Sequence, residues 1–190
     1  CAELCGKEHA FMPIVVRGGM LYDGTGAIVP LVVTIPPPMG GTPPSAPTGT
    51  VFNFTKVFGA KPGKPSVFLF VTEDGTIAGW NPGVDPTNAV IKVDNSKQGA
   101  IYKGCAIAKH LTSARLYATN FATGQVEMYD GNFQPVAMAS AFQDANLPAN
   151  YAPFGIQNVG GNIVVTFAHR KPGSTDEDHA NGFGYVDVFD

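Results

Sequence analysis

A hairpin unit that recurs along the chain constrains the fold more than any other feature of this sequence. Residues 116–130 (LYATNFATGQVEMYD) are its clearest copy: a short β-rich run, a turn, and an alternating run that ends in an aromatic residue and an aspartate. Residues 69–80 (LFVTEDGTIAGW) have the same outline, and residues 163–190 repeat it around a longer loop. The three copies open 47 residues apart (116 − 69 and 163 − 116), at Leu69, Leu116 and Ile163. The pattern predicts three antiparallel hairpins at a fixed spacing.

Composition indicates that these hairpins belong to an all-β chain. The 190 residues include 23 Gly, 16 Pro, 13 Phe and 6 Tyr, which suits many short strands separated by turns and argues against a helical bundle. The net charge is −3, with 14% charged residues and no basic run interleaved with aromatics, so no nucleic-acid partner is expected. No stretch of about 18 uninterrupted apolar residues is present, so no membrane span is expected.

Each repeat contains a glycine-led strand, the two strands of the hairpin, and a looser apolar strand after a turn. Four antiparallel strands in roughly 50 residues is the spacing of propeller blades. We therefore expect part of a β-propeller with three to four four-stranded blades. The blades are predicted near residues 50–95, 104–150 and 155–190, with a partial blade before them. Residues 1–19 are then an irregular N-terminal segment, and residues 20–190 are a single propeller domain or a propeller fragment.

The three cysteines leave the redox compartment open. Cys1, Cys5 and Cys105 permit at most one internal disulfide. Their spacing completes neither a haem attachment motif nor a zinc site. Cys1 is either a lipidated mature terminus or an arbitrary start of the chain, and the second interpretation is favoured.

Five longer segments carry a resemblance to known proteins. They are VFLFVTEDGTIAGWNP, VDNSKQGAIYKGCAIA, LYATNFATGQVEMYDGNFQPV, NLPANYAPFGIQNVGGNIVVTFA and GFGYVDVFD. In this order they resemble a family of uncharacterised secreted β-propeller proteins, similar to NHL-repeat propellers and associated with bacteria that have PEP-CTERM sorting systems. The resemblance covers about residues 20–190. It implies secretion and carries no established activity.

The chain departs from that family at both ends. Residues 1–19 do not match the Asn-Pro-Trp-Gly start of the family's first blade, and family members continue through more blades beyond Asp190. Three blades and a fraction cannot close a ring of the usual size, which leaves a sheet face and strand edges open. The expected partners are therefore missing propeller blades or further copies of the same chain.

Polar residues in equivalent turns form the first candidate site, because such turns meet on one face of a propeller. Placing the hairpins in register brings Glu73, Asp74, Asn120 and His169 to that face, where they could hold a divalent metal ion or polarise a ligand carbonyl. Similar rings hold a divalent ion in lactonase-type propellers and zinc in NHL-type lyases. Turns are also rich in Asp, Asn and Gly for conformational reasons alone, and that alternative is favoured. Lys103, beside an inner strand, either meets an anion at the channel or is a surface lysine. The candidate ligand-binding residues are Glu73, Asp74, Lys103 and Asn120.

The acidic loop at residues 169–182 (HRKPGSTDEDHANG) is the second candidate site. Its crowded oxygen ligands could bind calcium, and its two histidines could favour a transition metal. The candidate metal ligands are His169, Asp176, Asp178 and His179. The loop lacks the spacing of an EF-type calcium loop, and a solvated acidic loop is the favoured alternative.

Aromatic residues at one position of each repeat allow a third interpretation. Trp80, Tyr129 and Phe189 could form a stacking platform for a glycan, but structural packing between blades is favoured.

Three functions are compatible with these patterns. The favoured one is a non-catalytic extracytoplasmic binding or scaffold module that presents loops on a rigid ring and takes a small molecule or glycan as ligand. The alternative is a metal-dependent hydrolase or lyase of the lactonase and NHL kind, with Glu73, Asn120 and His169 around an ion. The third is a filament subunit joined through its open edges.

Overall fold

The computed structural model describes residues 18–22, 25, 27–138, 141–178, 182 and 184–190. Within these residues the chain forms fifteen β-strands and one short 3-10 turn at Ser96–Gln98. The strands are β1 (Gly18–Tyr22), β2 (Ile28–Thr34), β3 (Pro47–Phe52), β4 (Gly59–Lys61), β5 (Lys64–Pro65), β6 (Phe68–Thr72), β7 (Thr76–Trp80), β8 (Val90–Asp94), β9 (Tyr102–His110), β10 (Ser113–Asn120), β11 (Gln125–Tyr129), β12 (Pro135–Val136), β13 (Tyr151–Val159), β14 (Asn162–His169) and β15 (Tyr185–Phe189). The all-β prediction is confirmed. None of the described helical turns is long and apolar enough to cross a membrane.

Three larger antiparallel sheets follow one another along the chain. Sheet I has the strand order β3-β6-β7-β8, sheet II the order β9-β10-β11-β12, and sheet III the order β13-β14-β15. Strands β1 and β2 form a separate hairpin. Strands β4 and β5 form another hairpin, which lies in the connection between β3 and β6 along the chain. Sheets I and II have the predicted four strands, whereas sheet III has three among the described residues. None of the sheets formed by the described residues closes on itself.

The N-terminal prediction is only partly covered by the described residues. Residues 1–17, which include Cys1 and Cys5, lie outside them. Gly18 and Gly19, the last residues of the segment predicted to be irregular, pair with Thr34 and Val33 of β2.

The register of the hairpins corrects the predicted spacing by one residue. Leu116 faces Tyr129 and Ile163 faces Phe189, but the partner of Trp80 is Phe68 and not Leu69. The cause is turn length. Three residues separate Thr72 from Thr76, whose hydroxyls hydrogen-bond at 2.9 Å, whereas four residues separate the paired Asn120 and Gln125. A shorter turn moves the register of the whole first hairpin relative to the second.

The sheets pack face to face in chain order. Because alternate side chains of a strand point to opposite faces, one strand can contribute to the cores on both sides of its sheet. Cys105 and Ile107 of β9 belong to the core between sheets I and II, and Ala106 and Ala108 belong to the core between sheets II and III. The far side of sheet I is covered by β2 and the residue that follows it, through Val33 and Ile35.

The three equivalent aromatic residues lie in these cores. Trp80 and Tyr129 are buried and Phe189 is partly buried. Their packing agrees with the favoured structural interpretation.

Candidate functional site

A cavity of about 500 Å³ lies where the first strands of the three sheets meet. It is lined by consecutive residues of each strand, not by alternate ones, at 48–52, 103–107 and 154–158, together with Phe54. Because side chains alternate along a strand, consecutive lining residues mean that the cavity meets strand edges. These strands, β3, β9 and β13, are the edge strands of their sheets. Peptide groups therefore form much of the cavity wall.

Glycines allow the first strands to approach backbone to backbone. A Cβ atom added to Gly104 would lie 3.0 Å from the carbonyl oxygen of Phe154 and 3.4 Å from the Cα of Gly155. A Cβ added to Gly49 would lie 3.0 Å from the Cα of Gly104. A Cβ atom at Gly49 or Gly104 would force the neighbouring strand to shift, so these two glycines let the first strands approach closely, and Gly155 lies next to Gly104 where the three sheets meet.

Hydrogen bonds between neighbouring sheets, taken with the glycine contacts, show that the three strands run in the same direction. The Thr48 hydroxyl donates to the carbonyl of Tyr102 (2.6 Å), near the start of both strands. The Asn158 amide donates to the carbonyl of Ile107 (3.0 Å), near the end of β13 and β9. The hydroxyl of Thr119 adds a bond to the Phe154 carbonyl (2.5 Å). The sheets are thus fixed to one another by hydrogen bonds as well as by apolar packing.

Lys103 is buried at one end of the cavity and joins all three sheets. Its ammonium donates to Glu73 Oε1, in the turn after β6, and to Glu177 Oε2 (3.0 Å), in the loop after β14. Its Nζ atom also lies 5.6 Å from the ring centre of Phe121 and 5.3 Å from that of Phe154. Two carboxylates and two aromatic faces therefore surround one cation.

The surroundings of Lys103 favour its charged form. Burial alone disfavours the ammonium, but the hydrogen bonds to Glu73 and Glu177 outweigh burial, so the pKa of Lys103 lies above its ordinary value. A second cation lies on the same ring, since the Arg170 guanidinium is 5.4 Å from the Phe121 ring centre and donates to the carbonyl of Phe121. These contacts tie the loop after β14 to the turn between β10 and β11.

Two predicted ligand-binding residues hold turns instead of facing the cavity. The Asp74 carboxylate accepts hydrogen bonds from the Ser45 hydroxyl (2.9 Å) and the Ala46 amide (2.7 Å). Asn120 is buried, and its amide donates to Glu127 Oε1 (2.7 Å) while its oxygen accepts from backbone amides that include that of Ile101 (3.2 Å). Of the four candidates, the structure brings only Glu73 and Lys103 together.

The predicted metal ligands are only partly described. His169 Nδ1 lies 3.5 Å from Asp178 Oδ2, and the imidazole packs against the ring of Tyr151. The backbone of Asp176 is held within its own loop, with its amide donating to the Ser174 hydroxyl (3.0 Å). His179 lies outside the described residues. Among those that are described, no three His, Cys, Asp or Glu side chains gather as a metal-binding group.

A buried polar network that the sequence patterns did not predict joins sheet I to sheet II. Glu127 Oε2 accepts hydrogen bonds from the hydroxyls of Tyr102 (2.7 Å) and Tyr129 (2.6 Å), and Asn95 donates to both hydroxyls (2.8 and 3.0 Å). Burial is the main cause that raises the pKa of both phenols, and the neighbouring Glu127 adds to it. Tyr102 and Tyr129 therefore stay protonated at physiological pH.

Sequence reasoning also missed the roles of Glu177 and Arg170. The sequence contained one usable signal, because Tyr102 and Lys103 directly precede the apolar run GCAIA at residues 104–108. A charged residue entering a buried strand requires a partner of opposite charge.

No family model matches this chain. Three uncharacterized proteins of Acanthamoeba polyphaga mimivirus are similar to it. R640 is 32% identical over 128 residues, which cover 65% of this chain and 23% of R640. L690 is 31% identical over 159 residues (77% of this chain, 40% of L690), and R648 is 29% identical over 155 residues (76% and 38%). The chain spans less than half the length of each of these relatives.

Proposed function

We propose that this protein is a non-catalytic binding or scaffold module with the architecture of consecutive β-propeller blades. The observation that carries the proposal is the hub: three sheets in chain order whose first strands lie side by side, in one direction, around a common cavity. Up-and-down sheets arranged in this way are the building plan of propellers. The resemblance to a secreted NHL-like family supports an extracytoplasmic location.

The hydrogen bonds around the cavity favour a rigid frame over a reactive site. Lys103 donates a hydrogen bond to Glu73, and Asn120 donates one to Glu127. The Asp74 carboxylate accepts one from the backbone amide of Ala46, in the chain before β3. Groups that could perform acid–base chemistry are thus used to fix turns and sheets. The cavity lies within the size range of small-ligand sites and offers peptide donors and acceptors along strand edges.

Binding at the cavity can be tested by nuclear magnetic resonance. The ¹⁵N-labelled protein is titrated with a panel of mono- and disaccharides and short peptides, and the reporters are the amides of residues 104–107 and 155–158. We expect a binding probe to shift these amides in the wild type and in the exposed-loop control Met39→Trp. The same probe should not shift them in Thr50→Trp, in which an indole occupies the cavity. Shifts confined to other residues would contradict the proposed site.

Metal analysis of the same sample tests the catalytic alternative. A stoichiometric divalent metal that is lost in both Glu73→Gln and His169→Ala would replace the scaffold proposal with a metal-dependent hydrolase or lyase. Under the scaffold proposal, neither substitution changes the metal content.

A further inference from the structure

Two segments that follow the first strands form one end of sheets I and II. Residues 52–67 lead from the end of β3 to β6, and residues 109–112 form the end of β9 and the turn before β10. Because β3 and β9 run in the same direction, both segments lie at the same end of the two sheets. The Phe58 amide donates to the Gly131 carbonyl (2.8 Å), which ties the first segment to the turn after β11 at that end. We call the two segments together the connection end.

Large apolar side chains of the connection end face solvent. Phe52, Phe54, Val57 and Leu111 are 56%, 57%, 41% and 88% exposed. The last three lie beyond the ends of the strands, in the connections within sheets I and II. Sheets of this chain pack face to face, so a further sheet at either end of the series would leave these connections exposed. Grouped apolar side chains in exposed loops are typical of an interaction surface.

Leu111 is exposed at a backbone position that favours glycine. It is the first residue of a two-residue turn between the paired His110 and Ser113, and its φ is +56°. The equivalent turn of sheet III has Gly160 at this position, with φ +64°. A leucine in left-handed backbone is strained, and at 88% exposure its side chain gains little from packing within the fold. Strain of this kind points to a function of the exposed side chain.

The connection end is also basic. It carries four exposed lysines, Lys56, Lys61, Lys64 and Lys109. Within the described part of the chain, none of the four forms an ion pair. Asp85 and Asp130 lie in neighbouring turns at this end, but both carboxylates accept hydrogen bonds from backbone amides of their own turns. The lysines are therefore available to an external anion.

The opposite end of sheets I and II is acidic. Glu73 and Asp74 lie in the turn after β6, and Asp94 ends β8. Exposed side chains at that end include Lys97 and Met39, whose amide donates to Asp94 (3.1 Å). The two ends thus differ in charge, and each offers an exposed lysine and an exposed apolar residue for comparison.

We propose that the connection end docks on the surface of an anionic phospholipid membrane. The apolar side chains enter the headgroup region, and the lysines lie near the lipid phosphates. Apolar burial and cationic attraction together hold a protein at a membrane interface without crossing the bilayer. A soluble polyanion would engage the lysines but leave the phenylalanines and Leu111 without an apolar partner. This inference does not depend on the proposed binding function, because vesicle binding is measured without a cavity ligand.

Cosedimentation with phospholipid vesicles tests the contribution of charge. The protein should sediment with vesicles of phosphatidylcholine and phosphatidylglycerol and stay in solution with phosphatidylcholine alone. Raising the salt concentration from about 0.05 M to about 0.5 M should weaken binding, because salt screens the lysines. Lys109→Gln should weaken it about fivefold, the share expected of one lysine near an anionic surface. Lys97→Gln makes the same change at the acidic end, and this matched control should bind as the wild type does.

The double variant Phe54→Ser, Leu111→Gly tests the contribution of apolar insertion. We expect vesicle binding at least about tenfold weaker, because two large side chains no longer leave water for the membrane. Met39→Ser, at a residue 85% exposed at the acidic end, is the control and should bind as the wild type does. Leu111→Gly alone should weaken binding without lowering the unfolding temperature, because glycine adopts left-handed backbone without strain. That combination separates lost binding from lost folding.

Three results would overturn the proposal. The first is equal binding, or none, to vesicles with and without phosphatidylglycerol. The second is vesicle binding that the double variant retains in full, which would mean that the lysines act alone. The third is a protein that does not bind vesicles but binds dextran sulfate equally as wild type and double variant, which would assign the connection end to a soluble polyanion.

Discussion

Replacing Lys103 with methionine should destabilise the protein by removing the cation that joins the three sheets. The Lys103 side chain is 4% exposed, that of Glu177 is 25% exposed and that of Glu73 is 44% exposed. Removing one partner of a buried ion pair costs about 3–5 kcal/mol, because the other charge remains buried. Glu73 is screened by water and can turn outward, which reduces its share. We therefore expect Lys103→Met to lower the free energy of unfolding by about 2–3 kcal/mol.

Urea unfolding, followed by the fluorescence of the single tryptophan Trp80, measures this loss. With a denaturant slope of about 2 kcal/mol/M for a small protein, the midpoint should fall by about 1–1.5 M. The exposed Lys97→Met is the control and should change stability by less than about 0.5 kcal/mol. The triple variant Lys103→Met, Glu73→Gln, Glu177→Gln should recover most of the loss, since no charge is left without its partner.

The pH dependence gives a second check on the same lysine. Because the pKa of Lys103 is raised in the folded state, the folded protein holds this proton more tightly than the unfolded chain does. The contribution of Lys103 to the free energy of unfolding is complete below the ordinary lysine pKa of about 10.4. It is lost as pH rises through the pKa of Lys103 in the folded protein. The stability difference between wild type and Lys103→Met should stay constant from about pH 6 to 9 and shrink at higher pH. An unchanged midpoint in Lys103→Met, or a triple variant no more stable than the single one, would refute the reasoning.

Three further predictions concern the contacts between sheets. Gly104→Ala should cost about 1–3 kcal/mol in urea unfolding, because its Cβ would lie 3.0 Å from a carbonyl of sheet III and the sheets must separate. Gly184→Ala, with its nearest neighbour at 3.8 Å, should cost less than about 0.5 kcal/mol, and equal losses would contradict this explanation. Thr119→Val should cost about 1–3 kcal/mol, because the partly buried Phe154 carbonyl loses its donor and the buried Gly104 amide loses its acceptor, and an unchanged midpoint would show that water replaces the hydroxyl. Tyr102 and Tyr129 should not ionise in the folded protein, so stability should fall as pH rises above about 10, the ordinary tyrosine pKa. The near-ultraviolet absorbance of ionised tyrosine, followed as pH rises, should be the same in the double variant Tyr102→Phe, Tyr129→Phe as in the wild type up to the pH of unfolding. A smaller rise of absorbance in the variant would contradict the prediction.

The strands could be predicted from the sequence because the signals that define them are local. The run 116–130 contains both strands and the turn of one hairpin, and β10 and β11 form that hairpin, with Leu116 opposite Tyr129. The one-residue difference in register between the first and second hairpins was not predicted; it follows from the shorter turn after Thr72, across which the hydroxyls of Thr72 and Thr76 are in contact. The alternation of apolar and polar residues along a strand does not predict contacts within the turn.

The role of Lys103 could not be predicted, since its partners are distant in sequence. Glu73 lies 30 residues before it and Glu177 lies 74 residues after it, and both reach it only when the turns of three sheets converge. The sequence analysis predicted that Lys103 either binds an anion or lies on the surface. In the structure it is buried and paired with two carboxylates. Asn120 was predicted to be either a turn former or a ligand; its side-chain oxygen accepts from the amides of the turn after β10, and its amide donates to Glu127 within the same hairpin.

The glycines at the hub have a consequence for how such a protein can change over generations. Where Gly49, Gly104 and Gly155 meet, the distance between neighbouring sheets is set by peptide groups that every sequence shares. A sheet duplicated or exchanged within the series would meet its neighbours at the same spacing whatever side chains it carried farther out. Only the side chains in the outer part of each sheet then need to change together. The sequences of the repeats can therefore diverge until they are similar at only a few positions.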